Sequence, residues 1–368
     1  MKLVIFIGHF KTGSSSIQSF LSSNFLRLLQ ADILYPSVES QGIAQNMRSM
    51  MTGQDSSAVG ASLNIIEPHN ALALRLKTEE DGHGVPAYYP NTPSGFQMLE
   101  LIDNQIAALR PKAVILCSEV FALFGLTAHH SSIQRLANRH AGHDVTIYCN
   151  LRRPDEYLSS WHRQRLKFGA KLDRLSENGL KEYLDSAHVQ HARMIEPWLQ
   201  YFPGAQLVLR NFDDVKASGG SVHDFVAHSG LSYPERLSIP SDQNPSVPSA
   251  FSEIGRRAIH ELPRELSDPL VSWLTTASER VHCPADKNVE MFGAANRHIL
   301  VSTFRPVSEH LDRLAGGTAF YRDIDIFEKC NPQSDLDAAR EALPLLVADA
   351  RRYGLAEQSQ DWLKALVL

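Results

Sequence analysis

Two hydrophobic periods alternate along the chain. Leu3–Ile7 is an unbroken apolar run rich in β-branched residues, which predicts a strand buried on both faces of a parallel sheet. Gly8–Ser16 is small and polar with a single lysine, and Ile17, Phe20, Leu21, Leu28 and Leu29 then recur at three- and four-residue spacing, the stripe of a helix packed on that sheet. Further strands are predicted at Ile33–Tyr35, closed by Pro36, and at Ala113–Cys117, Val145–Leu151 and Gln206–Arg210. Helical patterns fall near 63–76 and 96–109, between Pro154 and Gly169, around Val222–His228, near 250–281 and 287–304, and at 334–353 and 356–367. Strands alternating with helices predict an α/β fold with a central parallel sheet of about five strands flanked by helices. The expected organisation is one domain over residues 1–321 with a long insertion at 37–110, and a helical C-terminal extension, 322–368, packed on it.

Composition narrows the class. With 43% apolar residues in 368, the chain can bury a sizeable core, and a net charge of −5 argues against a general nucleic-acid binder. No apolar run approaches the roughly 20 residues of a membrane span, and the opening LVIFIG is too short for a secretory signal, so a cytoplasmic location is expected. Cys117, Cys149, Cys283 and Cys330 are widely spaced, which predicts reduced, mostly buried thiols and neither a zinc site nor a disulfide framework.

A strand, a Gly-rich turn and a helix in immediate succession aim the unpaired N–H groups of a helix N-terminus at the end of the strand, where they attract an anion. Gly8 and Gly13 have the spacing of the NTP-binding loop G-x-x-x-x-G-K-[ST], but Ser14 stands where the lysine belongs and the only lysine is Lys11. The stretch instead resembles the 5′-phosphosulfate loop of sulfotransferases that use 3′-phosphoadenylyl sulfate (PAPS), roughly G-x-x-K-[TS]-G-[TS]-[TS], matched by Gly8, Lys11, Thr12, Gly13, Ser14 and Ser15, with Ser16 beside them. A second junction, CNLRRPDEYLSSW, resembles the element of the same family in which an Arg two residues before a Pro and a Ser six residues after it hold the ribose 3′-phosphate. Those positions are Arg152 and Ser160, and an arginine fork suits a phosphate dianion.

The resemblance implies a P-loop NTPase-like sulfotransferase fold of bacterial type, PAPS as donor, 3′,5′-ADP as product, no metal, and transfer of a sulfuryl group to a hydroxyl or amine of a small-molecule or glycan acceptor. Phe292 with Asn296-Arg297 resembles a C-terminal helix of many bacterial-type members; the resemblance is specific at 3–21 and 145–169, moderate at 113–119 and 198–214, and weak elsewhere. The family places a base after the third strand, which here is Glu119; a carboxylate at the exit of a buried strand must be bonded, paired or facing a wet cleft. His9 within the loop is the competing base, and Lys11 is the group expected to meet charge on the leaving oxygen. The insertion, with Tyr88 and Tyr89 in GVPAYYPNTPSG, is a candidate acceptor wall. His188 and His191, three apart on an expected helix, lack a third ligand for a metal. A P-loop kinase or NTPase, and a non-catalytic nucleotide- or glycan-binding protein, remain alternatives.

Overall fold

A computed structural model describes residues 1–55, 61–82, 84–89, 91–239 and 246–368. Strands β1 (Lys2–Phe6), β2 (Ile33–Leu34), β3 (Ala113–Cys117), β4 (Asp144–Leu151) and β5 (Gln206–Asn211) form a parallel sheet in the order β2-β3-β1-β4-β5. In register, Phe6 of β1 lies between Cys117 of β3 and Tyr148 of β4. From β1 the chain runs outward past β3 to β2, whereas from β4 it runs the other way to β5. The connections therefore diverge between β1 and β4, and open α/β sheets present a ligand crevice beyond the carboxyl ends of such a pair.

One face of the sheet, formed by Val4, Phe6, Ile115, Cys117 and Tyr148, is covered by Ile17, Phe20 and Leu21 of the helix Ser14–Ser23 and by Val222 and Phe225 of the helix Ser221–His228. The apolar stripe after the loop is present, but not as one helix. Asn24 separates Ser14–Ser23 from Phe25–Gln30, because its side-chain amide bonds the carbonyl of Phe20 at 2.7 Å and both backbone groups of Ser238 at 2.8 Å.

The insertion holds the helices Ser40–Thr52, Pro68–Asp81 and Gly95–Leu109 and the short helix Leu63–Ile66. The expected helix near 63–76 is thus broken at Glu67, where Pro68 starts a new helix with its pre-set φ. Ser40–Thr52 was not legible as a helix: only Gly42 and Ser49 are buried along it, so no apolar stripe marks it. Pro90, within the stretch GVPAYYPNTPSG, lies outside the described residues.

The chain divides into two compact units, not into one domain with a terminal extension. The first comprises Met1–Arg152, Gln190–Asp242 and Leu314–Gly317; the second comprises Arg153–Val189, Gln243–Arg313 and Thr318–Leu368. The reason is a second core: Phe251, Ile254, Trp273 and Leu274 pack with Ala338, Ala342, Leu346 and Leu363, which draws the C-terminal helices Asp335–Tyr353 and Glu357–Ala365 into the same unit as Ser252–Glu261 and Arg264–Ala277. Asn296 and Arg297 serve that unit, Asn296 bonding the carbonyl of Leu175 at 2.6 Å and Arg297 pairing with Glu290 at 2.8 Å. Among the described residues no helix is long and apolar enough to cross a membrane. All four cysteines are free; Cys117 and Cys149 are buried, Cys283 is half-buried and Cys330 is exposed.

Candidate functional site

The loop leaving β1 continues to pair with β4, since the N–H of Ile7 bonds the carbonyl of Tyr148 at 2.8 Å and that of His9 bonds Asn150 at 2.9 Å. It then folds over itself: Thr12 Oγ1 donates to the His9 carbonyl at 2.6 Å, Lys11 takes a φ of 59° and Gly13 a φ of 83°. Gly8 is required by close approach, because a Cβ there would lie 2.7 Å from the Phe6 ring and 2.9 Å from the Asn150 nitrogen. Ser221, from the helix after β5, donates its Oγ to the Thr12 carbonyl at 2.8 Å and latches the turn. The helix that opens at Ser14 has no side-chain cap and no acidic residue in its first turn. Its leading N–H groups, from Gly13 to Ser16, thus point out of the helix with the positive end of the dipole behind them. Thr12 and Ser14 are buried, Lys11 and Ser16 half-buried, and Ser15 exposed.

Glu119 follows β3 at the start of a 3₁₀ helix, Glu119–Leu126, whose entry is capped by Ser118 Oγ accepting from the Val120 N–H at 3.1 Å. Its half-buried carboxylate accepts from Gln18 Nε2 at 3.4 Å and from Asn70 Nδ2 at 3.3 Å. The structure thus joins the helix that follows the loop, through Gln18, to the carboxylate after the neighbouring strand. Burial first, and the nearby Glu67 second, push Glu119 up to about 7, against the lowering effect of its own backbone N–H, Ser14 and Asn70. Around it, Asn70 Nδ2 also donates to Glu67 Oε2 at 2.9 Å, and the buried Tyr89 donates its hydroxyl to the same oxygen at 2.9 Å. Tyr88 lies against Tyr89 with ring centroids 5.1 Å apart and is exposed.

On the β4 side, His9 is buried and meets the His191 ring edge-on at 4.3 Å between centroids. His191 opens the helix His191–Tyr201, while His188 precedes it, so the two do not share a helix as expected. Asn150 is fully buried on β4, on the same face as Phe6 and Tyr148, and neither its Oδ1 nor its Nδ2 has a hydrogen-bond partner among the described residues. Arg152, just beyond β4, lays its guanidinium over the Phe212 ring at 5.5 Å from the centroid. Ser160 belongs to the second unit, where it is buried in the helix Pro154–Lys167, which Asp155 and Glu156 open and Gly169 follows at φ 76°. Among the described residues no group of three or more His, Cys, Asp or Glu is placed to hold a metal ion.

Glu67, Asn70, Gln18, Asn150 and Ser221 were not singled out by sequence. For Glu67 a signal existed in Glu-Pro at a helix entry; for Asn150 it was a polar residue closing an apolar strand.

No family model matches the chain, and no solved structure matches it. Over 117 residues it is 29% identical to an uncharacterized protein of Archaeoglobus fulgidus, a match covering 32% of this chain and 31% of that protein. The chain therefore spans about a third of the length of the relative it matches.

Proposed function

We propose that the protein is a PAPS-dependent sulfotransferase of P-loop-like fold that transfers a sulfuryl group to a hydroxyl or amine of a small molecule or glycan. The observation that carries this reading is the bond from Gln18, on the helix that follows the loop, to Glu119 at 3.4 Å, which holds a carboxylate with raised proton affinity beside a helix whose N-terminus has no side-chain cap. The residues fit a doubly phosphorylated nucleotide: the Gly13 turn leaves no room for a side chain, the first-turn N–H groups suit a 5′-phosphosulfate, and Arg152 on the adjacent strand end suits a 3′-phosphate. Ser160 carries no part of this reading.

In the proposed reaction Glu119 takes the acceptor's proton as the acceptor oxygen or nitrogen bonds to sulfur and the bond from sulfur to the phosphate oxygen breaks, releasing 3′,5′-ADP. A base whose proton affinity lies near neutrality suits this task, whereas His9, packed edge-on against His191, is the less accessible choice. Lys11 and the loop N–H groups meet the charge that develops on the leaving oxygen.

Calorimetry with 3′,5′-ADP and with ATP·Mg²⁺, followed by an acceptor screen with labelled PAPS, tests the reading. Tighter binding of 3′,5′-ADP together with acceptor-dependent label transfer is expected. Preference for ATP·Mg²⁺ would favour a kinase or NTPase, and nucleotide binding without turnover of any acceptor would favour a binding protein.

A further inference from the structure

The helix break at Glu67 places a second carboxylate beside the candidate base, and the amide of Asn70 spans the two. Asn70 Oδ1 accepts from Gln18 Nε2 at 2.9 Å and from Ser118 Oγ at 2.6 Å. That fixes which end of the amide is nitrogen, so its two N–H groups are committed to Glu67 at 2.9 Å and Glu119 at 3.3 Å. Tyr89 fixes Glu67 from the far side, through its hydroxyl on Oε2. Both carboxylates are thus held at set positions on one bridging group, an arrangement more specific than two acidic residues near each other.

We propose that Glu67 is a positioning residue for the reaction: its carboxylate, spanned to Glu119 by Asn70, makes Glu119 a stronger proton acceptor than burial alone would. The inference rests on the reading of Glu119 as the base. The groups around the pair come from every neighbouring element: Ser14 and Gln18 from the helix after the loop, Asn70 and His69 from the helix Pro68–Asp81, Tyr88 and Tyr89 from the segment after it, Tyr35 from beyond β2, and Cys117 from β3. Burial keeps Tyr35 and Cys117 protonated, raising both well above their usual ranges, and holds His69 neutral by lowering it to about 3. Glu67 is thus the second carboxylate held on the Asn70 amide that Glu119 shares. Two carboxylates this close resist ionising together, which is how one of a pair gains proton affinity.

The test is the pH dependence of kcat/KM for sulfuryl transfer in wild type, Glu67→Gln and Glu67→Asp. Glu67→Gln keeps an oxygen for Tyr89 and Asn70 but removes the charge, and should move the acidic limb down by about one pH unit. It should also lower kcat above the limb by roughly threefold, with KM for PAPS unchanged, as expected when a base loses one unit of strength. Glu67→Asp, which restores the charge, should return the limb toward its wild-type position. A loss of kcat with the limb unmoved in Glu67→Gln would overturn the proposal. A second readout needs no turnover: titration of the ¹³C-labelled Glu119 carboxyl by NMR. Its midpoint should fall in Glu67→Gln, and an unshifted midpoint overturns the proposal. If Glu119→Gln retains full turnover, it is the base reading that fails, and the NMR midpoint alone decides whether Glu67 tunes Glu119.

Discussion

Gly13→Ala probes the turn that carries the candidate site. Gly13 has φ 83°, and an ideal Cβ there would lie 1.9 Å from Ser221 Oγ and 2.6 Å from Ser221 Cβ. The left-handed backbone costs a non-glycine residue about 1–2 kcal/mol. Displacing Ser221 to make room also breaks its bond to the Thr12 carbonyl, about 1 kcal/mol. The expected total of about 2–3 kcal/mol corresponds to roughly 30- to 150-fold faster exchange of the β1 amides, provided these open with the unit as a whole. Ser221→Gly alone removes only the hydrogen bond, about 1 kcal/mol, and clears the space. The double variant should therefore cost no more than Gly13→Ala alone, leaving a coupling of about 1 kcal/mol in the exchange-derived free energies. Additivity within about 0.5 kcal/mol would refute the steric latch.

In the proposed reaction Lys11 meets charge developing at the leaving oxygen, so Lys11→Ala should lower kcat by about 10²–10³ with little change in donor affinity; a normal kcat with raised KM would contradict it. Arg152→Ala should weaken 3′,5′-ADP by at least about tenfold in calorimetry while scarcely changing 5′-AMP, and equal losses would assign Arg152 to the fold or the 5′ site. Burial alone would raise the proton affinity of Asp224, but bonds from Arg210 at 2.7 and 3.0 Å, from Tyr148 and from Ser218 at 2.9 Å hold it below the usual carboxylate range. Its contribution is therefore full above the unfolded value of about 3.9 and lost as pH falls through the folded one. Asp224→Asn should cost about 3–5 kcal/mol at pH 7 and flatten the acid branch of stability below about pH 4, read from urea midpoints across pH.

The sheet was legible because a parallel strand covered on both faces must be apolar throughout: Ala113–Cys117 has the predicted bounds, and the other strands differ from theirs by a residue or so. The loop and Glu119 were legible for a related reason, since polar groups at the exits of such strands need partners or a ligand. What could not be read was pairing across the chain. Periodicity does not register that Asn24 will bond Ser238, that Glu67 and Glu119 will share Asn70, or that Ser221 will press on Gly13. Nor did it reveal the second unit, whose core joins helices on either side of the β6–β7 ladder, Val289–Glu290 with Gln333–Ser334, too short to leave a pattern.

The latch between Ser221 and Thr12 joins residues 209 positions apart, and it has a consequence in time. At about 5–20 residues per second of synthesis, Thr12 emerges roughly 10–40 s before the residue that secures it. In that interval residues 153–189, which belong to the other unit, are also made. A nascent chain therefore carries the whole glycine-serine motif long before it carries the turn. A fragment ending at residue 152, although it holds the motif, Glu119 and Arg152, lacks β5 and the helix that bears the latch. The geometry of the site belongs to the completed unit, and it matures late in the life of each newly made molecule.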